Sequence, residues 1–433
     1  MKIESYRIYL LLLLIILALI SLTTGLTAYS LRYEEPRRLI IAYEMAKSGS
    51  YLQPTFLGEN YYKKPPLFSW LIILSSKIFG WNEITVRAIS IFFTILTAIL
   101  IFLFSFYISG KAPPSVLSSL IYITFSDILY WYGWLGEIDV TLGFFVFLMM
   151  IFQYLAVEKN SCFYKLISSI LCGVAFLIKG FPVFGFFFLT YIAIAIWIRR
   201  IKHLFTFSFI ISAIPAVLIP GFWIFSTDDP ILCMKTLFMQ SLMRIKESRD
   251  TVKLAIHLIK YPLLNIKQTL PTSAILIYLL LNRRLLLDQV SSMIMFIFII
   301  NYIPYLLSAG SNGRYIIPIF PLLSIASASI IANSTHLIRR SFYILIILSI
   351  AGRSLYGLVG LPALEKRKGS PRHTARMIIN TIGREATIAF DCKKHKSICA
   401  YIDIYTGKIL ISPDINKTWQ YVISCSGRKY EAA

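Results

Sequence analysis

The sequence predicts an all-α polytopic membrane protein with a small α/β tail, and three observations carry that prediction. Hydrophobic residues make up 57% and aromatic residues 15% of the 433-residue chain, and its mean hydropathy is +0.70, far above soluble globular proteins. Apolar runs long enough to cross a bilayer recur from residue 8 to residue 360. Beyond residue 361 the chain becomes charged, with short alternating runs ATIAFD, KILIS and QYVISC and a helical pattern from Thr374 to Ile382. The expected organisation is therefore a transmembrane domain at 1–360 and a small domain at 361–433. A formal charge of +22 would suggest nucleic acid as the partner of a soluble chain. Here the basic residues sit in clusters between apolar runs, as topology signals do, so no nucleic-acid partner is expected.

About eleven candidate spans of roughly 20 residues follow in order. They fall near 8–28, 86–109, 114–131, 140–157, 163–179, 181–198, 204–226, 265–281, 289–307, 315–333 and 340–360. The first is read as a span rather than a signal peptide, because its apolar stretch is too long and no clean A-x-A follows LTAYS. Arg199, Arg200 and Lys202, then Arg283 and Arg284, then Arg339 and Arg340, fall in connections of one parity. The positive-inside rule makes those loops cytoplasmic and the N-terminus cytoplasmic with them. Loops 29–85, 132–139, 227–264 and 308–314 then face outward, as does the tail. In this arrangement Arg37, Arg38, Lys63 and Lys64 lie on the wrong side for the rule, which calls for a local reason.

The cysteines show no CxxC pair, and the histidines at 203, 257, 336, 373 and 395 share no metal-ligand spacing. An extracytoplasmic tail would permit a disulfide between Cys392 and Cys399, or from either to Cys425, and spacing does not choose among them. No metal and no cofactor are expected. The outer segment FMQSLMRIKESRD reads as an amphipathic interfacial helix on which Arg244 and Glu247 could pair three residues apart.

The most informative segment is the first outer loop. It begins EEPRR at 34–38, continues YEMAKSGSYLQP at 43–54 and LGENYYKKPPLFSW at 57–70, and ends FGWNEITVRAIS at 79–90. Pro65 and Pro66 fix the backbone beside Lys64 and keep it out of a helix, which makes a rigid cation suited to a phosphate. Snorkelling of Lys63 and Lys64 beside Tyr61, Tyr62 and Trp70 is the plainer reading. Glu34 and Glu35 would in any case suit the start of a helix with Pro36 in its first turn. Asp139 in GEID, two residues after Glu137, sits at the mouth of a span, where an acid needs a pair or a function. Lys179, between AFLI and GFPVFGFFF, needs a partner or a phosphate, and Arg314 in NGRY occupies a comparable outer position.

Order and spacing in these segments resemble the opening of the bacterial lipid-linked sugar transferases related to aminoarabinose transferase and protein O-mannosyltransferase. Weaker echoes continue in GEIDVTLGFF at 136–145, AFLIKGFP at 175–182 and SNGRYIIPIFP at 311–321, leaving the tail unmatched. The resemblance implies a GT-C type helix bundle with a cavity at the outer membrane face, built largely from loop 29–85. It implies a polyprenyl phosphate sugar donor, no nucleotide sugar, and transfer with inversion to a lipid A-like glycolipid. A protein hydroxyl is the alternative acceptor, and a transporter or flippase of an anionic lipid is the alternative class.

Such transfer needs a carboxylate to deprotonate or orient the acceptor and cations to meet the departing phosphate. By the resemblance Glu34 takes the place of the family's acidic residue, where aspartate is common, with Glu35 beside it and Asp139 as a further carboxylate. Arg37, Arg38, Lys64, Lys179 and Arg314 are expected to bind the donor phosphate. Tyr61, Tyr62 and Tyr315 are expected to line the substrate cavity. A residue linked to a metal in the family is here Lys63, which argues against a metal.

Overall fold

The computed structural model describes residues 2–246, 248, 250–391, 395–415, 419–426 and 429–432. The first helix, α1 (Lys2–Thr23), shows how the bundle is organised. Leu11, Leu14, Ala18 and Leu22 recur at three- and four-residue steps and are buried, whereas Leu12, Leu13, Ile16 and Ile20 are exposed. Both faces are apolar, so what separates them is packing against protein on one side and a surface suited to lipid on the other.

The outer loop that follows is largely structured: α2 (Glu35–Ser48), a two-stranded hairpin of β1 (Thr55–Phe56) and β2 (Glu59–Asn60), and α3 (Leu67–Phe79). Gly49 ends α2 in the left-handed region at φ 71°, which glycine adopts without a Cβ penalty. The bundle continues through α4 (Glu83–Ser109), α5 (Ala112–Thr124), α6 (Ile138–Glu158), α7 (Cys162–Lys179) and α8 (Pro182–Trp197). Asn82 caps α4: its side chain accepts from the Ile84 N–H, and Thr85 accepts from the Asn82 N–H. Next come α9 (Phe207–Ser212), α10 (Ile214–Phe225), α11 (Pro230–Lys246), α12 (Thr251–Gln268), α13 (Thr272–Leu281), α14 (Gln289–Leu306), α15 (Phe320–Ala332), α16 (His336–Leu355) and α17 (Leu361–Lys368).

Among the described residues, seven helical stretches are long and apolar enough to cross a membrane, or eight if a bent pair counts as one. These stretches match seven of the expected spans, and the chain is a multi-pass membrane protein. The other four expected spans take different forms. The apolar helix at Ile8–Thr23 and α8 are short, and α5 stops at Thr124 before a π-turn at 128–132. The expected span 265–281 takes the form of the last turn of α12 and all of α13, bent by 118° at a break containing Pro271. Proline cannot donate to the preceding turn and disfavours a helical residue before it.

The chain ends in α18 (Pro371–Ile382), β3 (Ile388–Asp391), α19 (Lys396–Thr406), β4 (Tyr421–Ser426) and β5 (Lys429–Ala432). β4 lies between β3, to which it is parallel with Ile388 opposite Tyr421, and β5, to which it is antiparallel with Ser426 opposite Lys429. α18 packs on α19, and α19 packs on α2 of the first outer loop. Cys399 is a free, buried thiol. Cys392 and the side chain of Cys425 lie outside the described residues, as do Glu247 and the side chain of Arg244.

Candidate functional site

The two glutamates that open the loop have different surroundings. Glu35 is fully buried against the equally buried Arg87 of α4, whose Nε and Nη2 each donate to one carboxylate oxygen at 2.8 Å. The same carboxylate accepts from the Gly136 N–H at 2.9 Å and the Arg32 N–H at 3.1 Å. Arg87 also donates to the carbonyls of Leu26, Tyr29 and Ser30. Its guanidinium lies on one face of Trp134, with Arg353 as a second cation at that ring. Glu35 therefore holds the end of α1, the start of α2, α4 and the turn before α6 together. The expectation that it acts on substrate is corrected, because every contact it makes is internal and no solvent reaches it.

Glu34, one residue earlier, lines a cavity of 720 Å³. Tyr33 takes a left-handed backbone at φ 56° that only a minority of non-glycine residues adopt, and its ring meets Trp131 edge-on at 5.6 Å. The turn leaves the Glu34 carboxylate a quarter exposed, accepting from Arg37 at 2.6 Å, while the Glu34 N–H donates to Glu137. The cavity walls come from four stretches: Tyr33 and Glu34; Asp127, Trp131, Tyr132, Leu135 and Glu137; Leu264, Lys267 and Gln268 of α12; and Asn312, Gly313 and Arg314.

The N-terminus of α6 supplies the remaining carboxylates. Glu137 is the N-cap and Asp139 lies in the first turn, where the helix dipole favours negative charge. Both are buried. Lys179, the last residue of α7, pairs with Asp139 and lies 4.8 Å from the Tyr315 ring. Arg314 approaches Glu137 at 3.8 Å and Asp139 at 4.0 Å. Burial, then the nearby Asp139 charge, pushes the Glu137 carboxyl up to about 7 against the opposing Arg38 and Arg314 charges. Among the described residues, Glu137 Oε2, Asp139 Oδ2, Arg38 Nε and Arg314 Nε are buried and have no hydrogen-bond partner. Buried polar atoms are ordinarily satisfied, so their clustering here marks a site built for a polar ligand.

Several expected residues lie elsewhere. Tyr61 packs with Ile41 and Met45, and Tyr62 with Phe176, Trp223 and Leu237, so their expected place at the cavity is corrected: their rings fill apolar clusters. Tyr315 stands behind Arg314 rather than in the cavity wall. Lys179 is likewise reassigned from phosphate binding, since it is buried as the counter-ion of Asp139. Lys64 donates to Gln240 of α11 at 2.9 Å and ties the loop to that helix. Arg37 and the nearly buried Arg38 remain beside Glu34 and Glu137.

Asp127, Lys267 and Gln268 had no place in the sequence-based site. Gln268 donates to Asp127 and is itself held by Asn265, which accepts from Tyr302 at 2.8 Å. An aspartate inside an expected span was a usable signal, because a buried charge there demands a partner.

Residues 63–223 match the family described as dolichyl-phosphate-mannose-protein mannosyltransferase. The chain is 29% identical over 194 residues to undecaprenyl phosphate-alpha-4-amino-4-deoxy-L-arabinose arabinosyl transferase of Yersinia pestis (strain Pestoides F), covering 44% of this chain and 35% of that protein. It is also 29% identical over 198 residues to the enzyme of that name from Edwardsiella ictaluri (strain 93-146), with the same coverage. The match thus spans about a third of these relatives' length. The crystal structure of ArnT from Cupriavidus metallidurans bound to undecaprenyl phosphate superposes with a TM-score of 0.67 at 15% identity, covering 93% of this chain and 85% of that one. The apo structure gives 0.66 at 14% identity, covering 95% and 86%. At that identity the likeness establishes the fold, which is the GT-C type helix bundle the sequence motifs imply.

Proposed function

We propose that the chain is a GT-C glycosyltransferase of the cytoplasmic membrane that moves a sugar from a polyprenyl phosphate donor to a lipid A-like acceptor on the outer face. The observation that carries this reading is Glu34, a carboxylate in the cavity wall with Arg37 and Arg38 beside it, on a fold shared over 93% of the chain with a protein crystallised with undecaprenyl phosphate. The eleven-span topology, with a cytoplasmic N-terminus and an outer tail, belongs to the same proposal.

In the proposed reaction an acceptor oxygen attacks the anomeric carbon of the donor, and the bond from that carbon to the phosphate oxygen breaks. Glu34 takes or orients the acceptor proton, and polyprenyl phosphate departs with the electron pair. Arg37 and Arg38 offset the charge on the leaving phosphate. A single displacement inverts the anomeric centre. Glu137 and Arg314, backed by the buried pair of Asp139 and Lys179, form the opposite wall and hold the sugar.

The bent pair α12 and α13 is the feature a transporter would share. Its Lys267 and Gln268 line the same cavity as Glu34, which fits a closed reaction site better than a conduit. The test is transfer of radiolabelled sugar from polyprenyl phosphate donors by purified protein, with lipid A and a hydroxyl-bearing acceptor protein in separate arms. Wild-type transfer lost in Glu34→Gln supports the reading. Labelled lipid crossing vesicles without transfer refutes it.

A further inference from the structure

The break that bends α12 against α13 is seated on the turn that carries Asp127. The Ser126 N–H donates to the Leu270 carbonyl at 2.9 Å, and the Ser126 hydroxyl donates to the Lys267 carbonyl at 2.5 Å. These bonds satisfy two carbonyls at the break and set Gln268 beside Asp127. Gln268 Nε2 donates to Asp127 Oδ2, Gln268 Oε1 accepts from Asn265 Nδ2 at 2.7 Å, and Asn265 Oδ1 accepts from the Tyr302 hydroxyl of α14 at 2.8 Å. The chain of donors runs one way, from a hydroxyl through two amides to a carboxylate that can only accept.

Gln268 and Asn265 are buried, and the Gly313 backbone lies against the Gln268 amide so closely that a Cβ there would stand 2.5 Å from Nε2. The amide therefore cannot swing freely, and each bond of the chain polarises the next. Asp127 and Gln268 both line the 720 Å³ cavity that Glu34 lines. Among the described residues Asp127 Oδ1 accepts no hydrogen bond, and Asp127 forms no ion pair. We infer that Asp127 is a specificity-determining residue of this cavity: Oδ1 accepts from a hydroxyl or ammonium substituent of the transferred sugar, and Tyr302, Asn265 and Gln268 position it.

The contrast with Asp139 supports this. Asp139 is buried and its charge is taken up by Lys179, whereas Asp127 is only partly buried and is held by a neutral amide that leaves its negative charge to the cavity. A carboxylate in that state repels a phosphate and attracts an O–H or N–H donor, which places the sugar rather than the carrier phosphate at this wall. A sugar lacking the donor leaves the carboxylate without a partner once the cavity is filled, and that penalty is the source of discrimination.

The inference rests on the proposed function, and the experiment tells the two apart. Purified full-length wild type, Asp127→Ala and Asp127→Asn in nanodiscs are given undecaprenyl phosphate donors carrying a pentose, a hexose or an amino sugar, with lipid A as acceptor. The donor that wild type transfers best is then remade as a set of analogues, each lacking one hydroxyl or amine. In wild type one analogue should lower kcat/KM roughly tenfold to a hundredfold, the loss of one charge-assisted hydrogen bond. In Asp127→Ala the parent donor should fall by that factor and the same analogue should lose nothing further, because enzyme and substrate have each given up one end of the same bond. Asp127→Asn keeps an oxygen for Gln268 and turns an amide N–H toward the cavity, so it should lose as much as Asp127→Ala while retaining the wild-type thermal midpoint. The substituent that couples to Asp127 identifies the donor as hydroxyl or amine. Losses that multiply for every analogue, or both variants transferring the parent donor as well as wild type, overturn the inference and leave the function standing. Wild type transferring sugar from none of these donors overturns both.

Discussion

Replacing each glutamate of the opening pair by glutamine separates a residue that holds the site from one that serves the reaction. In Glu35→Gln the amide keeps the size of the carboxylate but removes the charge facing Arg87. Arg87 is fully buried, so its charge is left without a counter-ion in a place water does not reach. Breaking a buried pair in this way costs about 3–5 kcal/mol. Glu34 differs: its ion pair is a quarter exposed and joins residues three apart on one helix, so Glu34→Gln costs under about 1 kcal/mol. If Glu34 is the acceptor's base, the same change slows transfer by about a hundredfold to ten-thousandfold. The assay is thermal unfolding of purified protein in nanodiscs, followed by tryptophan emission, beside transfer rates measured well below each variant's midpoint. The double variant Glu35→Gln with Arg87→Met removes the unpaired charge and should recover part of the lost midpoint, the remainder being the cost of leaving the Leu26, Tyr29 and Ser30 carbonyls without the Arg87 donor. A Glu35→Gln protein with the wild-type midpoint and no transfer, beside an active Glu34→Gln, would refute the assignment.

Three further outcomes follow from the walls of the cavity. The Glu137 carboxyl, raised from 4.5 to about 7, binds its proton more tightly in the folded state, so its burial penalty is absent below pH 4.5, grows as pH rises and is complete above 7. The full penalty is on the order of 3 kcal/mol; Glu137→Gln should match wild type in thermal midpoint at pH 4.5 and exceed it at pH 8, and parallel midpoints across that range would contradict the argument. Lys179→Met leaves Asp139 facing only the more distant Arg314 and should cost about 3–5 kcal/mol, with part of the loss returned by adding Asp139→Asn, as unfolding of the single and double variants would show. In Gly313→Ala the new Cβ would stand 2.5 Å from Gln268 Nε2, so Gln268 must swing off Asp127 into the cavity; a several-fold higher KM at an unchanged midpoint is expected, and unchanged kinetics would show that this wall does not meet substrate.

How much of this was legible in the sequence varies with the range of the interaction concerned. Local features read well: the apolar spans, the helix beginning at Glu35 with Pro36 in its first turn, and the capacity of Glu34 to reach a cavity. The division between Glu34 and Glu35 did not, because it depends on Arg87, 52 residues further along the chain. A signal existed, since an arginine within the apolar run of α4 requires a partner, but periodicity cannot say which of two adjacent carboxylates provides it. Tyr61 and Tyr62 misled for a related reason: an aromatic ring near a headgroup-level lysine suits a binding cavity and an apolar cluster equally, and only packing decides.

The distribution of charge around the cavity bears on why the first outer loop departs from the positive-inside rule. On the α6 side, Glu137 and Asp139 face Lys179 and Arg314, two acids against two bases, so that wall is close to neutral and suits an uncharged, hydroxyl-rich ligand. On the α2 side, Arg37 and Arg38 stand beside Glu34, two bases against one acid, which leaves that wall with an excess of positive charge. A ligand carrying a phosphate on one end and a sugar on the other would therefore bind in one orientation only. Its phosphate would lie toward α2 and its sugar toward α6, with Glu34 at the junction between them. On the proposed topology the basic pairs of the loop lie outside because the anion they meet is a lipid phosphate there, and the cost of that placement is offset only when the ligand arrives. Neutralising Arg37 and Arg38 together should then leave the fold intact and abolish phosphate selectivity, whereas neutralising Lys179 should do the reverse.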